Sequence, residues 1–144
     1  MRRLTREDIP AVARIESDTF SEPWSESALA LLCTEEYPSF VLCEDELAGY
    51  VSCARALDEI QIINVAVRAD RRGRGYADAL LVALDGYCEE NGILQISLEV
   101  RPSNVAAISL YEKHGYERAG VRKNFYRLPT EDAIVMIKNL NFNK

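Results

Sequence analysis

The chain has 144 residues, of which 48% are hydrophobic and 28% charged, the composition of one ordinary globular domain. The formal net charge of −6 disfavours nucleic acid as a partner, because phosphate binding requires a basic surface. Apolar stretches are too short to cross a bilayer, and no segment has the features of a signal peptide. We therefore expect a single domain over residues 1–144 in a cytoplasmic protein with no membrane partner.

The cysteines are spread along the chain at Cys33, Cys43, Cys53 and Cys88. No two of them form a Cys-x-x-Cys pair, and the single histidine, His114, cannot complete a zinc site with ligands so scattered. We expect no metal, and four buried or half-buried free thiols in a reducing compartment.

The predicted elements follow the order β-α-α-β-β-β-α-β-α-β-β, which defines a mixed α/β domain. Thr5 to Asp8 has the spacing of a capping box, and a helix is predicted from Ile9 to about Phe20. A second, short helix begins after Ser25 and continues to Leu32. Three strands follow, the last of them rich in β-branched residues, at 40–43, 48–57 and 60–67.

The second half of the chain alternates helices and strands. A long helix is predicted for 75–91, because apolar residues recur at offsets of three and four and Gly92 follows as a stop. The strand at 93–100 ends at Arg101-Pro102. Asn104 caps a further helix that Gly115 closes, and the last two strands are predicted at 116–123 and 133–137.

A turn rich in glycine and arginine, Arg72-Gly73-Arg74-Gly75-Tyr76-Ala77, joins a strand to the long helix. Glycine allows positive φ and close approach of the backbone to a ligand, and a helix N-terminus binds phosphate through its free N–H groups and dipole. Arg72 and Arg74 add full charges. The turn is neither a Walker loop nor a dinucleotide fingerprint, since Asp78 stands where the third glycine would be. It predicts a phosphate site, with a solvated basic turn as the alternative.

This turn matches the pattern Arg/Gln-x-x-Gly-x-Gly/Ala, and so resembles the pyrophosphate-binding motif of the GNAT acetyltransferase family. The segment from Leu98 to Tyr116 resembles the strand-loop-helix of the same family, most closely that of RimI-type ribosomal protein alanine acetyltransferases. Pro23-Trp24-Ser25, Arg122 to Tyr126 and Glu131 to Met136 are similar to the same subfamily. The resemblance therefore covers nearly the whole chain.

The resemblance implies a mixed, mostly antiparallel twisted sheet, flanked by about four helices and split by a V-shaped opening between two central strands. Acetyl-CoA would lie in this opening. Its pantetheine arm would pair with backbone at Val65, Ala66 and Val67, and its pyrophosphate would rest on Arg72, Gly73, Arg74, Gly75, Tyr76 and Ala77. Asn104 would also contact the cofactor, although a helix N-cap explains that residue equally well.

Acetyl transfer to an amine requires a neutral amine, a stabilised oxyanion and a proton for the leaving thiolate. By the resemblance, Glu99 would be the general base, through a water, and Tyr111 the general acid, while an amide near Val67 polarises the thioester. The alternatives are an ion pair of Glu99 with Arg101 or another cation, and simple core packing of Tyr111. No Ser-His-Asp or Cys-His arrangement is legible, so we exclude covalent catalysis.

The acceptor is predicted mainly by the resemblance. Trp24, Phe125 and Tyr126 are similar to positions that hold the first residues of an acceptor peptide, with rim packing as the alternative. The favoured acceptor is the N-terminal alanine of a small-subunit ribosomal protein, and the acidic balance suits a basic N-terminal tail. Phe125 stands where relatives often carry tyrosine, which removes a hydroxyl from that site.

Two other functions stay open at this point. One is a GNAT enzyme that acetylates a lysine side chain or a small amine. A lysine amine titrates near ~10.4 and an α-amine near ~7.7–8, so a single carboxylate is better suited to an N-terminal acceptor. The other is a non-catalytic acyl-CoA-binding module, against which the presence of both Glu99 and Tyr111 argues.

Overall fold

Seven strands form one sheet in the computed structural model, which describes residues 1–140. The spatial order of the strands is β1-β2-β3-β4-β5-β7-β6, and neighbours are antiparallel except for β4 and β5. In chain order they are β1 (Arg2–Arg3), β2 (Phe40–Cys43), β3 (Leu47–Ala56), β4 (Glu59–Val67), β5 (Gln95–Val100), β6 (Glu117–Arg127) and β7 (Thr130–Asn139).

Helices cover both faces of the sheet, and they are α1 (Ile9–Thr19), α2 (Glu26–Leu29), α3 (Tyr76–Glu90) and α4 (Val105–Lys113). On one face, α3 and α4 bury an apolar cluster that includes Leu84 and Val51. On the other, α1 and α2 bury a second cluster that includes Ile15 and Tyr50. Successive residues of β3 thus point into different clusters, as a strand requires. None of the helices within residues 1–140 has the length and apolar character needed to span a membrane.

The observed order of elements is the predicted one, and the α/β class with a mostly antiparallel sheet and four helices is confirmed. The largest difference is in the last hairpin, where β6 continues to Arg127 and β7 begins at Thr130. Almost every residue of β6 is exposed. The strand therefore lacks the apolar alternation that sequence reasoning depends on, and backbone pairing with β7 forms it instead.

Strands β4 and β5 pair in parallel over only three positions, from Glu59 with Gln95 to Gln61 with Ser97. Both strands then continue without pairing to each other. One register shift between β3 and β4, between Ser52 and Cys53, adds to the divergence, because a bulge increases the local bend and twist of a strand. The result is the split between central strands that the sequence resemblance implied.

The four cysteines are free thiols. Burial raises the pKa of the Cys53 thiol far above its usual value and that of Cys88 to about 12, so both are unreactive. The prediction is wrong for Cys43, which is exposed because it ends β2 at the start of a turn. Within residues 1–140, no three metal-ligating side chains are grouped closely enough to hold an ion.

Gly49 lies on β3 where the strand approaches β4 and α3. A Cβ atom at this position would lie 2.8 Å from the Ala66 carbonyl oxygen and 3.2 Å from Val67 Cγ2. Because a backbone oxygen in the sheet cannot move aside easily, Gly49→Ala should lower the free energy of unfolding by about 1–3 kcal/mol. Urea denaturation, followed by circular dichroism, measures the change.

Gly86→Ala is the matched control for this substitution. Gly86 is exposed on α3, and an added Cβ would meet no atom within 4 Å. Alanine has the higher helix propensity, so this variant should gain about 0.5–1 kcal/mol. Equal stability of the two variants would show that the close approach to the Ala66 carbonyl does not exclude a side chain at position 49.

Candidate active site

A cavity of about 450 Å³ opens where β4 and β5 separate. Its walls come mainly from the end of β4, the turn before α3 with the start of that helix, and α4. Nine of the ten cofactor-binding residues predicted from sequence line it, namely Val65, Ala66, Val67, Arg72, Gly73, Gly75, Tyr76, Ala77 and Asn104. The structure therefore brings together segments that lie about 40 residues apart in the chain.

Two glycines shape the turn between β4 and α3. Gly73 and Gly75 both have φ of +78°, and Gly75 is the N-cap residue of α3. An added Cβ would meet nothing within 4 Å at either position, so the backbone conformation and not a lack of space requires glycine. The first N–H groups of the 15-residue helix α3 have no partner within the helix, and together with its dipole they form a site suited to phosphate.

The arginines of this turn point in different directions. Arg72 lines the cavity, and its Nε donates to a carbonyl oxygen at the end of β4 at 3.2 Å. Arg71 also lines the cavity, with 15% of its side chain exposed, and is held by the acidic turn between β2 and β3 through Glu44. Arg74 lies outside the lining, half exposed and 3.9 Å from Glu44. Sequence reasoning selected Arg74 and missed Arg71, because both lie near Glu44 and only the folded turn shows that Arg71 lines the cavity and Arg74 does not.

Asn104 satisfies both interpretations of its role. Its side-chain oxygen accepts from the Ala107 N–H at 3.1 Å, which makes it the N-cap of α4, and it also lines the cavity. Small residues follow it at the start of the helix, and Ala106 and Ala107 leave space at this wall. Sequence analysis assigned no role to these alanines or to the other lining residues Thr19, Asp78 and Leu110.

Tyr111 lies on α4 and lines the cavity, although only 7% of the residue is exposed. Its ring packs edge-on against that of Tyr116, with 5.6 Å between centroids. Burial raises the pKa of Tyr111 well above its usual value, and neighbouring Tyr126 and Cys53 add to this. The hydroxyl is therefore protonated at physiological pH and can donate a hydrogen bond to a group in the cavity.

Glu99 lies on β5, outside the cavity lining, on the sheet face opposite to the α3 and α4 cluster. Its side chain is only 8% exposed. Gln61 Nε2 donates to both carboxylate oxygens, at 2.8 and 3.1 Å, and Arg122 Nε lies 3.6 Å away. The cation near Glu99 is thus Arg122 and not Arg101. Sequence analysis did not assign Gln61 to the site. The feature that could have indicated it is a polar residue within the apolar pattern of β4.

Tyr126 is half-buried on β6 and close to both predicted catalytic residues. Burial raises its pKa to about 12, and the Glu99 carboxylate contributes to this shift. Tyr126 in turn contributes to the raised pKa of Tyr111. The β6–β7 hairpin therefore carries an aromatic hydroxyl to the region between the carboxylate and the cavity.

The three residues predicted to bind an acceptor come from two parts of the fold. Phe125 is exposed and packs edge-on against Tyr126 at 5.0 Å between centroids. On the other side of Tyr126, the Arg101 guanidinium lies 4.2 Å from the ring centroid. Trp24 lies between α1 and α2, half-buried against the α1 and α2 cluster. Phe125 and Tyr126 are neighbours, and the loop that carries Trp24 contacts the same hairpin, where Glu22 accepts from the Arg127 N–H.

Comparisons with known proteins agree with this geometry. Residues 9–116 match the Acetyltransferase (GNAT) family. The [ribosomal protein bS18]-alanine N-acetyltransferase of Escherichia coli (strain K12) is 39% identical over 138 residues, which is 92% of this chain and 92% of that protein.

Solved structures give the same result. The crystal structure of the ribosomal-protein-S18-alanine N-acetyltransferase from Escherichia coli has a TM-score of 0.89 and 36% identity, over 99% of this chain and 96% of that one. Ard1 from Thermoplasma volcanium has a TM-score of 0.87 and 25% identity, over 97% and 96%. The sequence resemblance to RimI-type enzymes is confirmed by these relatives, and the chain belongs to the GNAT acetyltransferase family.

Proposed function

We propose that this protein transfers the acetyl group of acetyl-CoA to the α-amine at a protein N-terminus. The observation that carries the proposal is one cavity that joins a phosphate-type turn, the unpaired edge of β4 and Tyr111. The favoured acceptor is the N-terminal alanine of a small-subunit ribosomal protein, because relatives that match nearly the whole chain are named for that reaction.

Acetyl-CoA fits the cavity as a substrate through its anionic and amide groups. Its pyrophosphate would accept from the N–H groups of residues 72 to 77 and neutralise charge on Arg72. Its pantetheine amides would pair with the backbone of β4 from Val65 to Val67, whose side facing β5 makes no ladder bonds. Asn104 closes the site from α4. The thioester would then lie near Val67, where a backbone amide can polarise its carbonyl.

Glu99 acts as the general base through a water in this proposal. An α-amine is neutral in roughly a tenth of molecules at pH 7, so one carboxylate relay is sufficient. The two bonds from Gln61 fix the carboxylate, and Arg122 lies at 3.6 Å and does not bond it bidentately. Proton transfer to Glu99 leaves the amine lone pair free to attack the thioester carbonyl.

Tyr111 acts on the leaving sulfur. Its raised pKa makes full proton transfer to a thiolate unfavourable, because the corresponding thiol titrates near ~8.5. The hydroxyl therefore contributes mainly as a hydrogen-bond donor that stabilises the negative charge developing on sulfur. Tyr111 is thus a buried donor whose hydroxyl keeps its proton until the sulfur becomes charged.

The setting of the reaction follows from the proposed acceptor. We place the enzyme in the cytoplasm and treat residues 1–144 as one acetyltransferase domain that acts without metal, nucleic acid or membrane. Trp24, Phe125 and Tyr126 would hold the first residues of the peptide. The net charge of −6 supports a basic acceptor tail.

A panel of acceptors tests the proposal. Purified protein, acetyl-CoA and a basic alanine-initiated peptide should release free coenzyme A, with the acetyl group located on the α-amine by mass spectrometry. A peptide with a blocked α-amine and a free lysine should not react, since its amine is neutral in only about one molecule in two thousand at pH 7. Transfer to the blocked peptide or to spermidine would keep the enzyme class and overturn the acceptor.

Tyr111→Phe should lower kcat by about 10²–10⁴-fold, the range for loss of a positioned proton donor. Acetyl-CoA affinity, measured by calorimetry, should change little because the ring remains. Tyr116→Phe is the control, since the Tyr116 hydroxyl is buried with no hydrogen-bond partner within residues 1–140. Equal loss of activity in both variants would indicate a packing effect and would remove Tyr111 from the mechanism.

Glu99→Gln should lower kcat/KM by about 10–100-fold at pH 7, because the amine proton loses its acceptor. Raising the pH toward about 9 makes the α-amine neutral without assistance, so the deficit should shrink there. Initial rates from pH 6.5 to 9 measure this. A deficit that is constant across the range would assign Glu99 a structural role.

A further inference from the structure

Glu16 is a buried carboxylate for which the proposed chemistry has no use. It lies on α1 with 1% of the residue exposed. One oxygen, Oε1, accepts from the Tyr50 hydroxyl and from Asn64 Nδ2 at 2.8 Å, and the other, Oε2, accepts from the Trp24 N–H at 3.0 Å. A buried carboxylate is costly unless its oxygens are hydrogen-bonded, and here three donors from three different parts of the chain meet that need.

Two of the donors fix Glu16 to the sheet, Tyr50 on β3 and Asn64 on the cofactor-binding strand β4. Asn64 lies on β4 directly before Val65, at the bulge where β4 has already separated from β5. Its own N–H donates to Ser52 Oγ on β3 at 3.1 Å. Burial and the Glu16 carboxylate hold the pKa of Tyr50 well above its usual value, so its hydroxyl stays a donor. This end of the network is rigid.

The third donor belongs to the loop of residues 20–25, which we call the acceptor loop. Its middle residues, Ser21 to Pro23, are exposed. Glu22 accepts from the Arg127 N–H at 2.9 Å, and Ser21 Oγ lies 3.3 Å from the Arg101 guanidinium. The loop therefore reaches the hairpin that carries Phe125 and Tyr126, while its Trp24 N–H donates inward to Glu16.

We propose that Glu16 is a positioning residue that fixes the acceptor loop against the cofactor-binding strand and thereby sets the affinity for the acceptor. The inference rests on the proposed function, in that the loop is taken to hold the acceptor peptide. Glu16 acts through Trp24 and touches neither substrate. Its loss should raise KM for the peptide and leave the affinity for acetyl-CoA little changed.

Glu16→Met removes both acceptor oxygens at similar volume, and the Trp24 N–H then has no partner there. Losing a bond of this kind should raise the peptide KM roughly ten-fold or more with little change in kcat. Tyr50→Phe is the matched control, because it removes one donor from Glu16 but leaves the bond to Trp24. Glu16→Gln should restore a low KM, since its single oxygen can accept from Trp24 while Asn64 rotates to accept from its amide.

Trp24 is the only tryptophan, so its fluorescence reports on the acceptor loop without any acceptor. Emission should shift to the red and become more accessible to acrylamide in Glu16→Met, and neither change should occur in Tyr50→Phe. In the unmodified protein, hydrogen exchange measured by NMR should show a protected Trp24 amide beside unprotected Ser21 and Glu22. This measurement needs no variant, and so it decides the case even if Glu16→Met fails to fold.

The outcomes separate this inference from the proposed function. If no peptide is acetylated, the proposed function fails while exchange and fluorescence still report whether Glu16 fixes the loop. An unprotected Trp24 amide, an unchanged peptide KM in Glu16→Met, or an equal rise of KM in Tyr50→Phe would overturn the inference. A comparable loss of acetyl-CoA affinity would also overturn it, because the effect would then be on the sheet as a whole.

Discussion

The early separation of β4 from β5 is the constraint on which the rest of the structure depends. Beyond Gln61, the backbone N–H and C=O groups of β4 that face β5 have no ladder partner, although β4 stays paired with β3, and such groups need other partners when they are covered. A ligand that carries its own amides is a suitable partner. Because the glycine turn and α3 follow directly on the same strand, one strand direction places both an amide-binding edge and a phosphate-binding helix terminus along a single cavity.

In the proposed function, the sheet lies between the two substrates. Tyr111 approaches the opening from the face that carries α3 and α4, whereas Glu99 and Gln61 lie toward the other face. In the proposed reaction the two substrates enter from different faces and meet at the gap, so the proposed base and the proposed proton donor need not be neighbours in the fold. Tyr126, which influences the pKa of Tyr111, brings the last hairpin to the same point.

Local sequence patterns predicted much of the fold and of the cavity lining. Helical periodicity, capping residues and the glycine turn act over a few positions, and the elements and nine lining residues follow from them together with the family resemblance. Features that depend on residues distant in the chain could not be predicted from the sequence. Only the folded turn shows that Arg71 lines the cavity and Arg74 does not, and Gln61 meets Glu99 only after β4 and β5 pair. In the sequence, Glu16 looks like an ordinary helix glutamate, and only the fold brings the Tyr50 hydroxyl to its carboxylate.

Because β4 and β5 pair at only three positions, the sheet consists of two parts, β1 to β4 and β5 to β7, joined by a short ladder. We call these parts the two leaves of the sheet. Few backbone bonds join the two parts, so the apolar cluster under α3 and α4 and side-chain ion pairs also hold them together. Lys138 on β7 pairs with Asp85 on α3 at 2.8 Å, and Lys113 at the end of α4 pairs with Asp78 at 2.9 Å. Both pairs join α3 to the other leaf. The Lys113 side chain is 67% exposed and that of Lys138 only 18%, so salt weakens the first pair more than the second.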